Sequence, residues 1–378
     1  MKKSRVKIKI PLYEPYISKE DKNIILNTLN NQILTSGPLI EKFEKKFAEF
    51  AGAKYAIGVS NATSALFLSL KAIDIKKNDE VIIPDMTFVA TANAVVHTGA
   101  KPILVDVNFD DMNIGVDQIK KAITKKTKAI LPVHFAGKAC DMFKIRKIAN
   151  ENNLKLIEDC AHAIGTVVNK KHVGNFGEAG CFSFYPTKNI TTIEGGMIIT
   201  NSKNIAEKIR NFRNHGITKT LSERYIGKPW EYDVSEFGYN FRLDEVRSAL
   251  GINQLKRINK INVMRRKIFE YYNKNLSKIK GIEIPQKGKG VDSHHLYIIK
   301  IKNDYPVSRD ELFNKLLREG ISTTLHYKPI HMFSAYKKFN NKNIINSSQL
   351  FKEILSLPFF PNITRKQQDK VIQLISES

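Results

Sequence analysis

Lys188 has the sequence surroundings in which a lysine can act as a nucleophile. It follows an aromatic-rich run typical of a buried strand and precedes a Glu-Gly-Gly turn, in the stretch CFSFYPTKNITTIEGGMIITN at 181–201. Most lysines are solvated, but burial lowers the pKa of an amine and so favours its neutral form. Because Schiff-base chemistry requires a neutral amine, Lys188 is a candidate for covalent catalysis.

Asp159 ends an apolar, strand-like run upstream, in LIEDCAHAIG at 156–165, where small residues then open a predicted helix. Open parallel sheets bind ligands at the carboxyl ends of their strands, which makes Asp159 a candidate site residue. A helix N-cap is its alternative role. The spacing between Asp159 and Lys188 leaves room for one intervening strand, so both side chains could converge on one cleft.

A predicted helix start rich in small polar residues is the third candidate. In VSNATSALFL, at 59–68, a strand turns into a helix that Asn61 is expected to cap. Free N–H groups and hydroxyls at such a terminus suit a phosphate, although Ser, Thr and Asn are also simply good caps.

A phosphate cradle, a carboxylate and a nucleophilic lysine are together what pyridoxal 5′-phosphate (PLP) requires. The phosphate anchors the cofactor, the carboxylate keeps the ring nitrogen protonated, and the lysine holds the aldehyde and moves protons. The three stretches therefore predict a PLP site.

Strand-like runs alternate with helix-period segments over the first two thirds of the chain. This alternation predicts an α/β fold with a mostly parallel central sheet that is covered on both faces, in a large domain at 1–245. The predicted strands are Lys54–Val59, Glu80–Ile83, Lys101–Val107, Ala129–Val133, Lys155–Asp159, Phe182–Phe184 and Met197–Thr200, the last two facing each other across a turn.

The pattern changes after Asn240. Apolar residues at helical spacing predict one long helix over Phe241–Leu276. A strand at His295–Ile301 and helices at Ser308–Gly320 and Thr364–Ser376 then predict a smaller C-terminal α+β domain at 246–378.

The composition is that of a soluble globular protein, with 42% hydrophobic and 26% charged residues. No apolar run approaches the ~18 residues of a membrane-spanning helix, and the basic start lacks the apolar core of a signal peptide. The three cysteines show no metal-ligand spacing. We therefore expect a cytoplasmic protein with reduced thiols, no metal and no membrane association.

The net charge of +24 comes from 61 Lys and Arg against 37 Asp and Glu. The excess is mostly lysine spread along the chain, without the basic stripe and interleaved aromatics of a nucleic-acid platform. We interpret it as a solvated surface that attracts anionic substrates, and we expect no nucleic-acid partner.

From end to end the sequence resembles the DegT/DnrJ/EryC1/StrS family of PLP-dependent sugar aminotransferases. The resemblance implies the aspartate aminotransferase-like (type I PLP) fold and a homodimer with active sites at the subunit interface. The stretches that carry it are ILTSGPLIEKFEKKFAEFAGAKYAIGVSNATSAL, PDMTFVATANAVVHTGAKPILVDV, IEDCAHAIGT, FSFYPTKNITTIEGGMIITN, RNHGI, GYNFRLDEVRSALGINQLKRI and LHYKPIHMF.

The resemblance also implies roles for individual residues. Lys188 would hold the cofactor aldehyde and shuttle protons, and Asp159 would pair with the pyridine nitrogen. The other implied cofactor contacts are Ala62, Thr63 and Ser183 at the phosphate, His162 beside the ring hydroxyl, Phe88 on the ring face, and Asn240 reaching the phosphate of the partner subunit's site. Without the resemblance, His162 is interpreted as a helix-surface histidine, Phe88 as a core residue and Asn240 as a helix cap.

Sugar-pocket roles are implied for Thr35, Tyr185, His326 and His331. A structural role for either histidine is an equally good interpretation.

The presence of Lys188, where a dehydratase branch of the family has histidine, favours amino transfer. The expected donor is L-glutamate, which leaves as 2-oxoglutarate, and the expected acceptor is a nucleotide-linked 4-keto-6-deoxy sugar of amino-sugar or surface-polysaccharide biosynthesis. The motifs ILTSG, NATSAL, FSFYPTKNITTIEGG and HYKP resemble those of C4 aminotransferases that act on UDP-linked N-acetylated 4-keto sugars and those of GDP-perosamine synthases. This resemblance favours amination at C4. The alternatives are C3 amination of a dTDP- or UDP-3-keto sugar and, from another class, a basic nucleic-acid-binding regulator on a PLP-fold scaffold.

Overall fold

A computed structural model describes residues 7–218, 228, 230–339 and 343–378 of the chain. No helix in these ranges is both long enough and apolar enough to cross a membrane. The α-helices are α1 (Lys19–Leu29), α2 (Pro38–Ala51), α3 (Ala62–Ala72), α4 (Val89–His97), α5 (Val116–Ala122), α6 (Met142–Glu151), α7 (Lys203–Arg213), α8 (Glu245–Leu255), α9 (Ile258–Leu276), α10 (Arg309–Arg318), α11 (Asn346–Glu353) and α12 (Arg365–Ser376).

The strands form a central sheet, a smaller sheet and a short hairpin. They are β1 (Tyr55–Val59), β2 (Glu80–Pro84), β3 (Lys101–Val105), β4 (Thr127–Ile130), β5 (Lys155–Asp159), β6 (Val167–Val168), β7 (Lys171–His172), β8 (Ala179–Ser183), β9 (Gly196–Thr200), β10 (Ile282–Glu283), β11 (Ile298–Ile301) and β12 (Ile354–Ser356).

The central sheet has the strand order β1-β9-β8-β5-β4-β2-β3. Among these strands, β9 runs antiparallel to its neighbours β1 and β8, and the other neighbouring pairs are parallel. The predicted mostly parallel sheet, with an antiparallel turn between its last two strands, is therefore confirmed.

Alternate residues along these strands pack into cores on opposite faces of the sheet. Ile57 of β1 and Ile157 of β5 pack with apolar residues of α3, α4 and α7. The residues directly before them, Ala56 and Leu156, pack on the opposite face of the sheet. On that face α2 and α8 cover β1, and α5 and α6 cover β5. Both faces are covered by helices, as expected for parallel strands that are apolar throughout.

The smaller sheet has the order β10-β11-β12 and packs against α9, α10 and α12. Its core contains buried residues such as Tyr272 of α9, Leu312 of α10 and Val371 of α12. This arrangement has the α+β character expected of the C-terminal region, while the division at 245/246 stays a prediction.

The single helix predicted over Phe241–Leu276 is wrong, because α8 and α9 are separate helices that meet at Lys256 and Arg257. Apolar periodicity does not detect this break, since Lys256 keeps helical angles (φ −55°, ψ −25°) while Arg257 departs from them (φ −108°, ψ 2°). The helix predicted after β5 is also wrong. Residues 160–165 form turns there.

Glu245, at the start of α8, caps a different helix. Helix α2 begins after Gly37, which has no side chain that could cap the helix. The Glu245 carboxylate takes this role, because it accepts the N–H groups of Gly37, Leu39 and Ile40 at 3.2, 2.8 and 3.0 Å. A Cβ on Gly37 would lie 2.8 Å from a Glu245 oxygen, so this approach requires glycine. The contact ties the N-terminal segment to the chain some 200 residues later.

We expect Glu245→Gln to lower the midpoint of urea unfolding by an amount equivalent to about 1–3 kcal/mol. The amide replaces one acceptor oxygen with a donor, so buried N–H groups at the start of α2 lose their partner. Glu270→Gln is the matched control. Among the residues that the structure describes, Glu270 makes only a surface pair with Arg266 at 3.9 Å, so this variant should change stability by less than about 0.5 kcal/mol. Equal midpoints for the two variants would contradict the capping role.

Candidate active site

A cavity of about 1030 Å³ lies at the carboxyl ends of the central strands. Segments that follow β1, β2, β4, β5 and β8 form its walls, and a segment from the C-terminal region closes one side. Its walls include the predicted cofactor residues Ala62, Thr63, Phe88, Asp159, His162, Ser183 and Lys188, and also Thr91, Tyr185, Glu194, His326 and Tyr327.

Lys188 reaches this cavity from the loop between β8 and β9. Its backbone N–H donates to the Tyr185 carbonyl at 2.9 Å, which fixes the turn that carries the amine. Burial lowers the pKa of the Lys188 amine to about 8, and the negative charge of Asp159 acts against this shift. Part of the amine is therefore neutral near physiological pH.

Asp159 ends β5 and is buried at the base of the cavity. One carboxylate oxygen accepts the Ala161 N–H at 3.1 Å, and the other accepts the Thr91 hydroxyl at 2.9 Å. Burial raises the pKa of Asp159, while these donors and the charge of Lys188 act in the opposite direction. The alternative role as a helix N-cap is wrong, since turns rather than a helix follow β5.

The start of α3 presents free donors to the cavity. The Asn61 side chain accepts the Ser64 N–H at 2.8 Å, which confirms the predicted cap. The N–H groups of Ala62 and Thr63, in the first turn, have no intrahelical acceptor. A Cβ on Gly196 would lie 2.6 Å from the Asn61 carbonyl carbon, so only glycine lets β9 approach this helix start.

His162 is 5% exposed and lies in the turn after β5, so its interpretation as a helix-surface residue is wrong. Its Nδ1 accepts the Ala136 N–H at 3.3 Å, and its Nε2 lies 3.0 Å from the Tyr327 hydroxyl. Burial holds the pKa of His162 well below its ordinary value, and the positive charge of Lys188 lowers this pKa further. The imidazole is therefore neutral.

Phe88 and Ser183, for which the resemblance implies cofactor contacts, both line the cavity. Phe88 is 56% exposed, which contradicts the core interpretation, and its ring lies 5.7 Å from that of Tyr327. Ser183 is buried at the end of β8, and its hydroxyl accepts the Tyr185 N–H at 3.4 Å.

Tyr185 and His326 are the sugar-pocket candidates that line the cavity. Tyr185 is 44% exposed. The Nδ1 atom of His326 lies 2.8 Å from the Ser356 hydroxyl oxygen. Burial lowers the pKa of His326 to about 4. Both side chains are placed to contact a ligand.

His331 and Thr35 are not among the residues that line the cavity. The Nδ1 atom of His331 lies 2.7 Å from the buried Asp85 carboxylate. The same carboxylate accepts the backbone N–H of His331 at 2.9 Å. These contacts support the structural interpretation of His331. Thr35 is exposed and forms an isolated antiparallel bridge with Asp244.

Asn240 is exposed and forms an antiparallel bridge with Asn214. It is not a helix cap, because α8 begins at Glu245 with Asp244 as its N-cap, and the Asp244 carboxylate accepts the Arg247 N–H at 2.8 Å. The residues on either side of Asn240 line the cavity, but Asn240 does not.

Sequence reasoning missed Thr91 and Tyr327. Thr91 holds the Asp159 carboxylate, and nothing in its sequence neighbourhood distinguishes it from an ordinary helix residue. Tyr327 lies between His326 and His331 in the segment LHYKPIH. Its signal was an aromatic hydroxyl inside a segment already expected to line the pocket.

His134, Glu158 and Cys160 form a buried group whose potential metal-ligand atoms lie within 4.8 Å of one another. His134 Nδ1 accepts the Cys140 N–H at 3.1 Å, so Nε2 carries the proton that it shares with Glu158 at 3.0 Å. The same carboxylate accepts three further backbone N–H groups, those of Gly174, Phe176 and Gly177. These donor atoms serve hydrogen bonds of the core.

Comparison with known proteins shows one family. The sequence profile of the DegT/DnrJ/EryC1/StrS aminotransferase family matches residues 15–376. The spore coat polysaccharide biosynthesis protein SpsC of Bacillus subtilis strain 168 is 37% identical over 375 residues, which cover 97% of this chain and 96% of SpsC.

Solved structures agree with this match. Helicobacter pylori PseC, described as an aminotransferase involved in the biosynthesis of pseudoaminic acid, superposes with a TM-score of 0.91 at 32% identity and covers 97% of this chain and 98% of its own. NtdA from Bacillus subtilis, with bound cofactor PMP (pyridoxamine 5′-phosphate), has a TM-score of 0.86 at 31% identity, with coverage of 96% and 82%. The aspartate aminotransferase-like fold is confirmed.

The residues of the cavity fit a PLP-type cofactor. The free N–H groups of Ala62 and Thr63 suit a phosphate, the buried Asp159 carboxylate suits a protonated ring nitrogen, and the Lys188 amine suits an aldehyde. Burial lowers the pKa of this amine to about 8 despite the opposing charge of Asp159, so part of it is neutral, as attack on an aldehyde requires.

We expect capture of PLP by the cofactor-free protein to accelerate with pH and to level off above about 8, the pKa of Lys188. Only the neutral amine attacks the aldehyde, and an ordinary lysine, with a pKa of about 10.4, would still be gaining neutral amine at pH 10. The absorbance of the bound cofactor gives the rate, with Nα-acetyl-lysine in solution as the reference. A midpoint near that of the reference would contradict the lowered pKa.

Proposed function

The chain belongs to the DegT/DnrJ/EryC1/StrS aminotransferase family and is a PLP-dependent transaminase of sugar biosynthesis; on this premise we propose that it transfers the amino group of L-glutamate to C4 of a nucleotide-linked 4-keto-6-deoxy sugar. Family membership favours catalysis over the nucleic-acid-binding alternative. The choice of C4 rests on the resemblance of the motifs ILTSG, NATSAL, FSFYPTKNITTIEGG and HYKP to those of C4 aminotransferases.

The observation that carries the proposal is the meeting of Lys188 and Asp159 in one cavity of about 1030 Å³. Ligand pockets commonly measure about 300–1,000 Å³, so this one has room for a cofactor and a sugar together. A lysine with a pKa near 8 is poised to accept and return protons near neutral pH.

When bound, PLP would supply an electron sink for chemistry at the amino-bearing carbon. The Asp159 carboxylate, held by Thr91 and Ala161, would supply the negative charge that keeps the ring nitrogen protonated. We assign Lys188 to proton transfer in both half-reactions, and the first turn of α3, with Ser183, to the phosphate.

The acceptor sugar is proposed to enter beside Tyr185 and His326, which line the cavity. Burial keeps His326 neutral, because its pKa is about 4, so it can exchange hydrogen bonds with sugar hydroxyls without a charge. The lysine-rich surface, with a net charge of +24 for the chain, would speed encounter with a nucleotide diphosphate.

We also propose that two chains share their active sites. Asn240 is exposed and lies outside its own cavity, although the resemblance assigns it to a phosphate contact. Exposed apolar side chains lie nearby in sequence and elsewhere on the surface, including Val234 at 50%, Phe237 at 96% and Ile193 at 57% exposure. Burial against a second chain would remove this apolar surface from water.

With L-glutamate as donor, we expect the protein to aminate at least one 4-keto sugar in a panel of UDP-, GDP- and dTDP-linked 4-keto and 3-keto sugars. Mass spectrometry detects the product and NMR locates the new amine. Lys188→Ala should lower turnover by at least about 10³-fold, since it removes both the covalent anchor and the proton carrier. Lys101→Ala, at an exposed strand end, is the matched control.

Amination of 3-keto sugars alone would replace the C4 assignment with C3. Unimpaired turnover by Lys188→Ala would reject the catalytic assignment of this lysine.

Shared sites predict complementation between two defective variants. Lys188→Ala and Asn240→Ala should each be impaired, whereas mixing them under conditions of subunit exchange should restore activity up to about one quarter of wild type. The physical reason is that half of a statistical mixture is hybrid dimers, and each hybrid has one site with both residues intact. Activity that merely equals the average of the separate variants would contradict a shared site.

A further inference from the structure

Tyr327 contributes a hydroxyl to the cavity that the assignments above leave unused. The residue comes from the C-terminal region, and its ring packs against those of Phe88, Phe135 and His162 at centroid distances of 5.7, 6.1 and 5.9 Å. These three contacts fix the direction in which the hydroxyl points. Its oxygen lies 3.0 Å from His162 Nε2.

The backbone determines which partner donates in this contact. Ala136, within the turn Phe135–Gly137, directs its N–H at His162 Nδ1 over 3.3 Å. A ring nitrogen that accepts a hydrogen bond carries no proton, so the single proton of the neutral imidazole is on Nε2. His162 therefore donates to the Tyr327 oxygen, and the tyrosine proton does not lie between these two atoms.

The Tyr327 proton has to be directed elsewhere. Among the described residues, the contact with His162 is the one hydrogen bond of this hydroxyl. Burial and the nearby charge of Asp159 raise the pKa of Tyr327, so the hydroxyl keeps its proton over the physiological range. A protonated hydroxyl beside a ligand cavity with no protein acceptor is a donor for the ligand.

We propose that Tyr327 is a hydrogen-bond donor to an oxygen atom of the bound ligand, and that Ala136 and His162 are positioning residues that fix this direction. The inference rests on the proposed site but not on the identity of the sugar. The acceptor chemistry is an electron-rich oxygen, which either the cofactor ring hydroxyl or the keto group of the sugar can supply.

The tautomer of His162 is tested first, in the cofactor-free protein, by ¹⁵N NMR of the histidine rings with His162→Gln to assign the signals. We expect a proton on Nε2 and a pyridine-like Nδ1. The opposite tautomer would overturn the proposal, and this readout does not depend on any turnover.

The second test uses two replacements of the same shape, which differ in hydrogen-bond direction and in charge. In His162→Gln, the carbonyl can accept from Ala136 and the amide can still donate to Tyr327. In His162→Glu, both oxygens accept, so the carboxylate takes the tyrosine proton away from the cavity. Tyr327→Phe is then measured within each background, so the added charge is present on both sides of each comparison.

Two measurements distinguish the sources of the acceptor oxygen. The affinity of the cofactor-free protein for pyridoxamine 5′-phosphate, measured by calorimetry, reports a bond to the cofactor. The KM and kcat for the keto sugar report a bond to the substrate. In the wild-type and His162→Gln backgrounds, we expect Tyr327→Phe to weaken either the cofactor affinity or the kinetic constants for the sugar about tenfold. In the His162→Glu background, we expect Tyr327→Phe to change the same quantity by less than about twofold.

A loss confined to pyridoxamine phosphate affinity assigns the bond to the cofactor, and a loss confined to the sugar assigns it to the substrate. Equal effects of Tyr327→Phe in the Gln and Glu backgrounds would overturn the proposal, because a merely structural role for the ring does not depend on hydrogen-bond direction. Thermal unfolding of every variant establishes that the fold is intact. If His162→Glu does not fold, the NMR result and the effect of Tyr327→Phe in wild type decide.

Discussion

The parallel pairing of β5 with β8 is the constraint on which the site depends. Asp159, the last residue of β5, lies opposite Cys181 of β8, and the chain beyond β8 returns to the cavity at Lys188. Two neighbouring parallel strands thus place a carboxylate and an amine in one buried space. Burial favours the neutral form of each group, while their mutual attraction favours the charged forms. For Lys188 burial has the larger effect, so its pKa is lowered to about 8 and part of the amine is neutral near neutral pH.

Two imidazoles around this space are oriented by backbone N–H groups. His134 and His162 each accept a backbone N–H at Nδ1, from Cys140 and Ala136 respectively. Both donors belong to the segment that follows β4. The backbone therefore determines that each ring donates through Nε2, to Glu158 in the core and to the Tyr327 hydroxyl at the cavity. One short segment orients both the support beneath the site and a group on its wall.

Buried carboxylates join distant parts of the chain to this framework. Glu245 receives the start of α2, and Asp106, just beyond β3, accepts the N–H groups of Ile345, Asn346 and Ser347 at the start of α11. Asp85 holds His331, which lies close in sequence to the Tyr327 segment. The dipole of a helix start and its free N–H groups stabilise such charges in the interior. These contacts link the C-terminal region to the ends of the central strands and so support the cavity wall.

The sequence by itself determined the central strands, the cap at Asn61 and the joint presence of Lys188, Asp159 and a helix start rich in small polar residues, because apolar periodicity and cap chemistry are local. It failed where local geometry changed within a periodic pattern, as at Lys256 and Arg257. Only the tertiary structure decided that His331 pairs with Asp85 and that Tyr327 faces the cavity. The direction of a side chain depends on packing partners far away in sequence, and for Tyr327 it also depends on one backbone N–H that orients its neighbour.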